Sequence, residues 1–119
     1  MATPIQNRIN GHVWFRATGA NVTIQLSDMV ANGTVEAPIN AASITQIFWT
    51  GAWTIYRGAN AVFASNTGTA GHFNLAASGF SLSEWNSANV VCNTTSANAT
   101  LYIQLNKESY ANGTVGGLY

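Results

Sequence analysis

Ile44-Thr45-Gln46-Ile47-Phe48-Trp49-Thr50-Gly51-Ala52-Trp53-Thr54-Ile55-Tyr56-Arg57 holds the densest structural information in the chain. Two runs rich in β-branched and aromatic residues, 44–49 and 52–57, flank Thr50-Gly51. Such residues suit a pleated, half-buried surface, and glycine accepts the backbone of a tight turn. A link this short excludes parallel pairing, which needs a crossover of about a dozen residues, so the two runs are expected to form an antiparallel hairpin. Phe48 and Ile55 are assigned to the core. Trp49 and Trp53 flank the turn, where full burial is difficult, which leaves both core and interface open for them.

Outward from this stretch the alternation repeats. Val13, Phe15 and Ala17 share one face of 12–17 and Trp14 and Arg16 the other. Val22, Ile24 and Leu26 alternate with Thr23, Gln25 and Ser27, the period-2 pattern of a strand with one buried face. With Thr18-Gly19-Ala20 between them, these two runs also read as a hairpin. Met29 to Ala42 is a connection carrying Asn32-Gly33 and Pro38, with a short strand around Thr34 to Glu36. After Gly58-Ala59-Asn60 follow the runs 61–64, 72–76, 80–82 and 89–92, and Ser83-Glu84-Trp85-Asn86 fits one helical turn. Ala99, Leu101, Ile103 and Leu105 alternate with Thr100, Tyr102 and Gln104. About eight short strands at this spacing predict an all-β fold, a compact antiparallel β-sandwich or small barrel. Residues 1–10 read as an N-terminal arm, 11–108 as the β domain and 109–119 as a Gly-rich C-terminal tail.

The 119 residues make one domain's worth of chain, and their composition agrees with this reading. Apolar residues make up 47%, enough for a core, yet only 7% are charged, against about 25% in a typical soluble domain. Long helices need charged outer faces that this chain cannot supply. Four scattered basic residues, Arg8, Arg16, Arg57 and Lys107, balance Asp28, Glu36, Glu84 and Glu108. They leave no electrostatic footprint for a phosphate backbone, so no nucleic-acid partner is expected. No apolar run approaches 18 residues and no signal peptide is visible, so no membrane partner is expected either. The Asn-x-Thr triplets at Asn21, Asn32, Asn93, Asn98 and Asn112 therefore read as turn and strand chemistry. Low charge removes the self-repulsion that separates freely diffusing proteins, which suits a molecule fixed in an assembly.

Chemistry-bearing motifs are sparse. Cys92, in Val90-Val91-Cys92, is the single cysteine and reads as a buried small hydrophobe. His12 and His72 stand 60 positions apart without metal-ligand spacing. Neither a carboxylate pair nor a nucleophile or phosphate-loop motif stands out, so no catalytic residue, metal or cofactor is expected and the chain is read as a non-enzyme. The aromatics remain. Besides Trp49 and Trp53, the chain holds Trp14, Trp85, Tyr56, Tyr102, Tyr110 and Tyr119, and exposed rings anchor interfaces or stack on sugars.

Trp53-Thr54-Ile55-Tyr56-Arg57-Gly58-Ala59-Asn60, the glycine-rich stretch beyond it and the closing Leu101-Tyr102-Ile103-Gln104-Leu105-Asn106-Lys107 resemble a group of small virion proteins from tailed phages of aquatic bacteria. The resemblance spans about residues 44–107. It implies a structural role in the virion, as a capsid decoration (cement) protein on the major capsid protein lattice or as a tail- or fibre-associated protein. It brings no catalytic residues. It leaves head surface or tail open; the leading expectation is the decoration protein, made in the bacterial host cytoplasm, resident on the capsid surface and self-associated as a homo-oligomer, dimer or trimer, which gains avidity on a repeating lattice. The contact candidates are Ile5, Arg8, Trp49, Trp53 and Tyr56, with a carbohydrate-binding module, and a surface glycan as partner, as the rival reading.

Overall fold

The computed structural model describes residues 2–9, 11–31, 39–75, 82–111 and 114–115, with the backbone alone described within 82–85, 108–111 and 114–115. Eleven strands are found there: β1 (Thr3–Asn7), β2 (His12–Thr18), β3 (Val22–Ile24), β4 (Ile39–Thr50), β5 (Trp53–Arg57), β6 (Asn60–Ala64), β7 (Ala70–Asn74), β8 (Leu82–Asn86), β9 (Val90–Thr94), β10 (Thr100–Ala111) and β11 (Thr114–Val115). One 3-10 turn, Leu26–Met29, joins β3 to the segment before β4. All pairings are antiparallel, in two sheets. The larger runs β1-β2-β10-β4, with β7 and β8 sharing the far edge of the twelve-residue β4 and β11 folding back on β10. The smaller runs β3-β9-β5-β6.

Buried side chains from both sheets form one core, including Val13, Phe15, Ile47, Leu101 and Ile103 from the larger and Ile24, Trp53, Ile55, Val90 and Cys92 from the smaller. The molecule is therefore a β-sandwich. With β1, β8 and β11 set aside, eight strands remain. In chain order they fall first-eighth-third-sixth in one sheet and second-seventh-fourth-fifth in the other, the strand order of a jelly roll.

That topology corrects both expected hairpins. β4 and β5 do not pair: β4 lies in the larger sheet and β5 in the smaller, and the same holds for β2 and β3. Thr50-Gly51-Ala52 and Gly19-Ala20-Asn21 are corners at which the chain leaves one sheet and enters the other. Alternation shows that each run has a buried face. It does not show whether two neighbouring runs lay those faces side by side or press them against each other across a core. Gly19 and Gly51 sit at φ +60° and +86°. A Cβ on Gly51 would approach that of Ala99 to 2.8 Å, and one on Gly19 would come within 2.5 Å of the Ala97 carbonyl oxygen. The second corner is locked by Ser65, whose hydroxyl accepts from Trp53 N–H at 2.9 Å and donates to Gly51 O at 2.7 Å. Gly58-Ala59 does close a true hairpin, β5–β6.

Three further expectations shift. Residues 82–86 are strand rather than a helical turn. Leu26 leaves the β3 alternation to open the 3-10 turn, where Gln25 N–H donates to the Asp28 carboxylate at 2.8 Å. Thr3–Asn7 of the arm is the edge strand of the larger sheet, and Asn7 Oδ1 accepts from the buried Lys107 ammonium at 2.6 Å. Its end is thereby tied to the body of the fold. The strand expected at Thr34 to Glu36 lies outside the described residues.

A bulge decides which β4 residues face the core. Gln104 pairs with Gln46, but Leu105 pairs with Ile44, so Thr45 is an extra residue. Its hydroxyl donates to Gln104 Oε1 at 2.8 Å, a side-chain bond at the point where the ladder is interrupted. The inserted residue lets Ile44 and Ile47, three apart, both point inward with no exposure. Strict alternation would set them on opposite faces.

Candidate functional site

The register of the larger sheet builds its outer face row by row. Arg16, Tyr102, Phe48 and His72 stand opposite one another across β2, β10, β4 and β7. On one side runs the row Trp14, Gln104, Gln46 and Asn74, extended to Gln6 on β1, and on the other Thr18, Thr100, Thr50 and Ala70. The rings meet across strands. The Phe48 ring stacks on the His72 imidazole at 3.7 Å between centroids with 5° between planes, and Trp14 lies 5.9 Å from Phe48 at a tilt. Phe48 is 40% exposed. This corrects its assignment to the core: Ile47 and Trp49 take the inward positions, and the parity of Phe48 is that of Gln46. That shared parity was the signal in the sequence, hidden by the unbroken apolar run 47–49.

Between the rings lies an open groove of about 440 Å³ lined by Trp14, Phe48 and Tyr102 together with Thr50, Thr100 and Ala70. Trp49, inward on β4, and Gly71 line one end of it. A Cβ on Gly71 would come within 2.6 Å of the Trp49 indole, so that ring lies directly on the Gly71 backbone. Phe63 and Phe73 box it in with edge contacts at 4.9 and 5.3 Å.

The polar side chains of the face hold one another in place. Gln46 Nε2 donates to Gln104 Oε1 at 3.0 Å, and Gln46 Oε1 meets His72 Nε2 at 3.1 Å. With Thr45 Oγ1 also donating to Gln104 Oε1, four side chains from three strands share one hydrogen-bonded chain. Arg16 is the one charged residue in the three rows.

The five contact candidates separate in space. Ile5 is the extra residue of a bulge between Pro4 and Gln6 on edge strand β1 and is 50% exposed; Arg8 is exposed just beyond that strand. Ile9, 48% exposed, continues this apolar edge and was not singled out by its sequence. Trp49 is half-buried at the groove. Trp53 is 1% exposed, with its indole N–H donating to Thr50 O at 3.1 Å, so it is a core ring and not an exposed anchor. The inter-sheet corner turns Trp53 inward, where a hairpin tip would have left it outside. Tyr56 alternates with buried Ile55 and Arg57 and stands half-buried on the outer face of the smaller sheet.

Two reactive-looking groups are core residues. Cys92 is fully buried and its thiol is pushed up to about 12 by desolvation. Arg57 is 2% exposed, and burial pulls its guanidinium down to about 10, leaving it charged at neutral pH. From β5 in the smaller sheet it donates to the carbonyls of Ala42, at 2.8 Å, and Asn86 in the larger one. The Arg-Gly-Ala-Asn segment is thus a staple across the sandwich followed by a turn. No family model, curated protein or solved structure matches the chain.

Proposed function

We propose that this chain is a non-enzymatic structural protein of a phage virion, seated as a decoration protein on the major capsid protein lattice. The observation that carries the reading is the exposed apolar edge Ile5-Gln6-Asn7-Arg8-Ile9 on a rigid, charge-poor jelly roll. An edge strand with an exposed isoleucine at its bulge, Ile5, and a second, Ile9, exposed in the turn that follows it is a liability for a freely diffusing monomer and an asset for a docked one. Jelly rolls recur in viral capsid and lectin domains, and the likeness at 53–60 and 101–107 to small virion proteins points the same way. Fold alone does not assign function, so the weight rests on the edge. That edge is small beside the roughly 800 Å² per partner of a standard interface. The protein therefore acts as a dimer or trimer, gaining avidity from several weak contacts on a repeating lattice.

The test is to add purified protein to phage heads stripped of their related Trp-x-Ile-x-Arg-Gly-Ala-Asn proteins and to locate it by electron cryomicroscopy. Regular density on the head lattice, lost in an Ile5→Asp, Ile9→Asp double variant, is the expected result. Density confined to the tail reassigns the protein to a tail-associated role, and absence of particle density overturns the virion reading.

A further inference from the structure

We infer that the groove on the outer face of the larger sheet binds a neutral saccharide, stacked on Phe48 and bordered by Trp14 and Tyr102. The argument starts from the register. Tyr102, Phe48 and His72 stand in one row and Gln104, Gln46 and Asn74 in the next, with Trp14 closing the amide row, so a strip of rings runs beside a strip of amides. A pyranose ring has the same division, with one face of C–H groups and a rim of hydroxyls. The C–H face matches the rings and the rim matches amides, which offer donors and acceptors without charge.

The amides are pre-positioned. Gln46 gives one N–H to Gln104 and its carbonyl oxygen to His72, which leaves its second N–H for a ligand hydroxyl that extends past Phe48. The groove itself is lined by rings and threonines, and the amides stand in the row beyond. His72 is held in plane by the Phe48 stack, with Nδ1 as its second ring nitrogen. Side chains already ordered by one another lose little freedom when a ligand arrives.

Charge selects among occupants. The one charge in the three rows, Arg16, is not among the residues that line the groove, so the lining itself offers no charge to select an ion over a neutral polyol. Size agrees: about 440 Å³ lies within the range of small-molecule sites. A second copy of the chain fits less well. A standard protein interface buries about 800 Å² per partner, whereas here Phe48 is the one large, well-exposed apolar side chain in the three rows.

The experiment is an amide NMR titration of the full chain with glucose, galactose, mannose, N-acetylglucosamine and their disaccharides, followed in parallel by tryptophan fluorescence. Shifts are expected to cluster on β2, β4, β7 and β10. Phe48→Ala should weaken binding about three- to tenfold, as loss of one stacked ring does. Ala70→Arg, which fills the groove from an exposed position and removes no packing, should abolish it, and Tyr56→Ala on the opposite face should leave it unchanged. The inference is overturned by absence of any shift across the panel, by shifts that Ala70→Arg does not remove, or by a sugar-independent dimer that protects Phe48. A protein that binds sugar but no particle leaves this inference standing and removes the virion reading. The converse result does the reverse.

Discussion

Gly19→Ala tests the sheet-to-sheet corner on which the topology depends. The substitution carries two separable costs. At φ +60° an L-residue pays about 1–2 kcal/mol for the left-handed backbone. The new Cβ would also lie 2.5 Å from the Ala97 carbonyl oxygen and 3.2 Å from its carbon, backbone atoms that no rotamer change can move. Overpacking of that kind adds about 1–3 kcal/mol, for a total near 3 kcal/mol. Gly68→Ala supplies the control, because its φ of +79° carries the same backbone cost while its Cβ would meet nothing within 4 Å. That variant should lose about 1 kcal/mol. Urea unfolding followed by tryptophan fluorescence, with slopes compared to ensure two-state behaviour, reads the difference directly. For a domain of this size, about 4 °C of melting temperature per kcal/mol should separate the variants by roughly 8 °C. Equal losses would show that β2 does not turn sharply away at residue 19, and the two-sheet assignment of β2 and β3 would fall with it.

Other consequences follow from buried groups. Arg57→Leu removes the donor to the carbonyls of Ala42 and Asn86 and should cost about 3 kcal/mol in urea unfolding. Arg57→Lys should recover little, since one ammonium lacks the fork that spans two carbonyls. Native Cys92 should resist iodoacetamide and react fully once the chain is unfolded, as a buried thiol held near 12 offers almost no thiolate. The same thiol sets a pH dependence. It ionises near its ordinary 9.0 in the unfolded chain and near 12 in the folded one, so it stabilises the fold below pH 9 relative to the alkaline limit. Wild type should lose stability relative to Cys92→Ala by up to about 1.4 kcal/mol per pH unit between those values. Arg57, pulled down from 12.5 to about 10, acts in the opposite sense in both proteins and cancels in that difference. Thr45→Val should cost about 1 kcal/mol by removing the hydroxyl that closes the β4 bulge.

The sequence carried strand identity better than strand partnership. Val13, Phe15 and Ala17 face the core as their alternation requires, and so do Leu101, Ile103 and Leu105. Partnership was lost at Gly19 and Gly51, because a glycine-centred link of a few residues serves a hairpin and an inter-sheet corner equally well. What separates them is tertiary: Ser65, fourteen residues beyond Gly51, accepts from Trp53 and fixes the corner. Burial parity was lost where a bulge intervened. Thr45 shifts the phase of β4, so Phe48 emerges on the outer face while Trp53, beyond the corner, is carried inside. The aromatic face was legible only in fragments: Trp14 and Tyr102 fall on the outer phase of clean alternations, but their meeting with Phe48 and His72 depends on the pairing of β2 with β10 and of β4 with β10 and β7, strands far apart in the chain.

The two corners also explain why the molecule can have separate working surfaces. A hairpin at 44–57 would have kept β4 and β5 side by side, with their outward residues on one face. Crossing to the other sheet instead sends the outward side of β4, with Gln46 and Phe48, and the outward side of β5, with Tyr56, to opposite sides of the sandwich. The sides of these strands that carry Ile47 and Ile55 then close on each other as core. The larger sheet is left with one outer face on which β2, β4, β7 and β10 can sort aromatic and amide rows. Its β1 edge, set at the end of that face, keeps the exposed Ile5 and Ile9 away from the groove centred on β4 and β10. A lattice contact through the edge would leave the β4, β7 and β10 side of the groove open, while Trp14, paired with Gln6, lies next to the contact. The proposed assembly role and the proposed saccharide role are thus tested one at a time, by Ile5→Asp with Ile9→Asp for the first and by Ala70→Arg for the second.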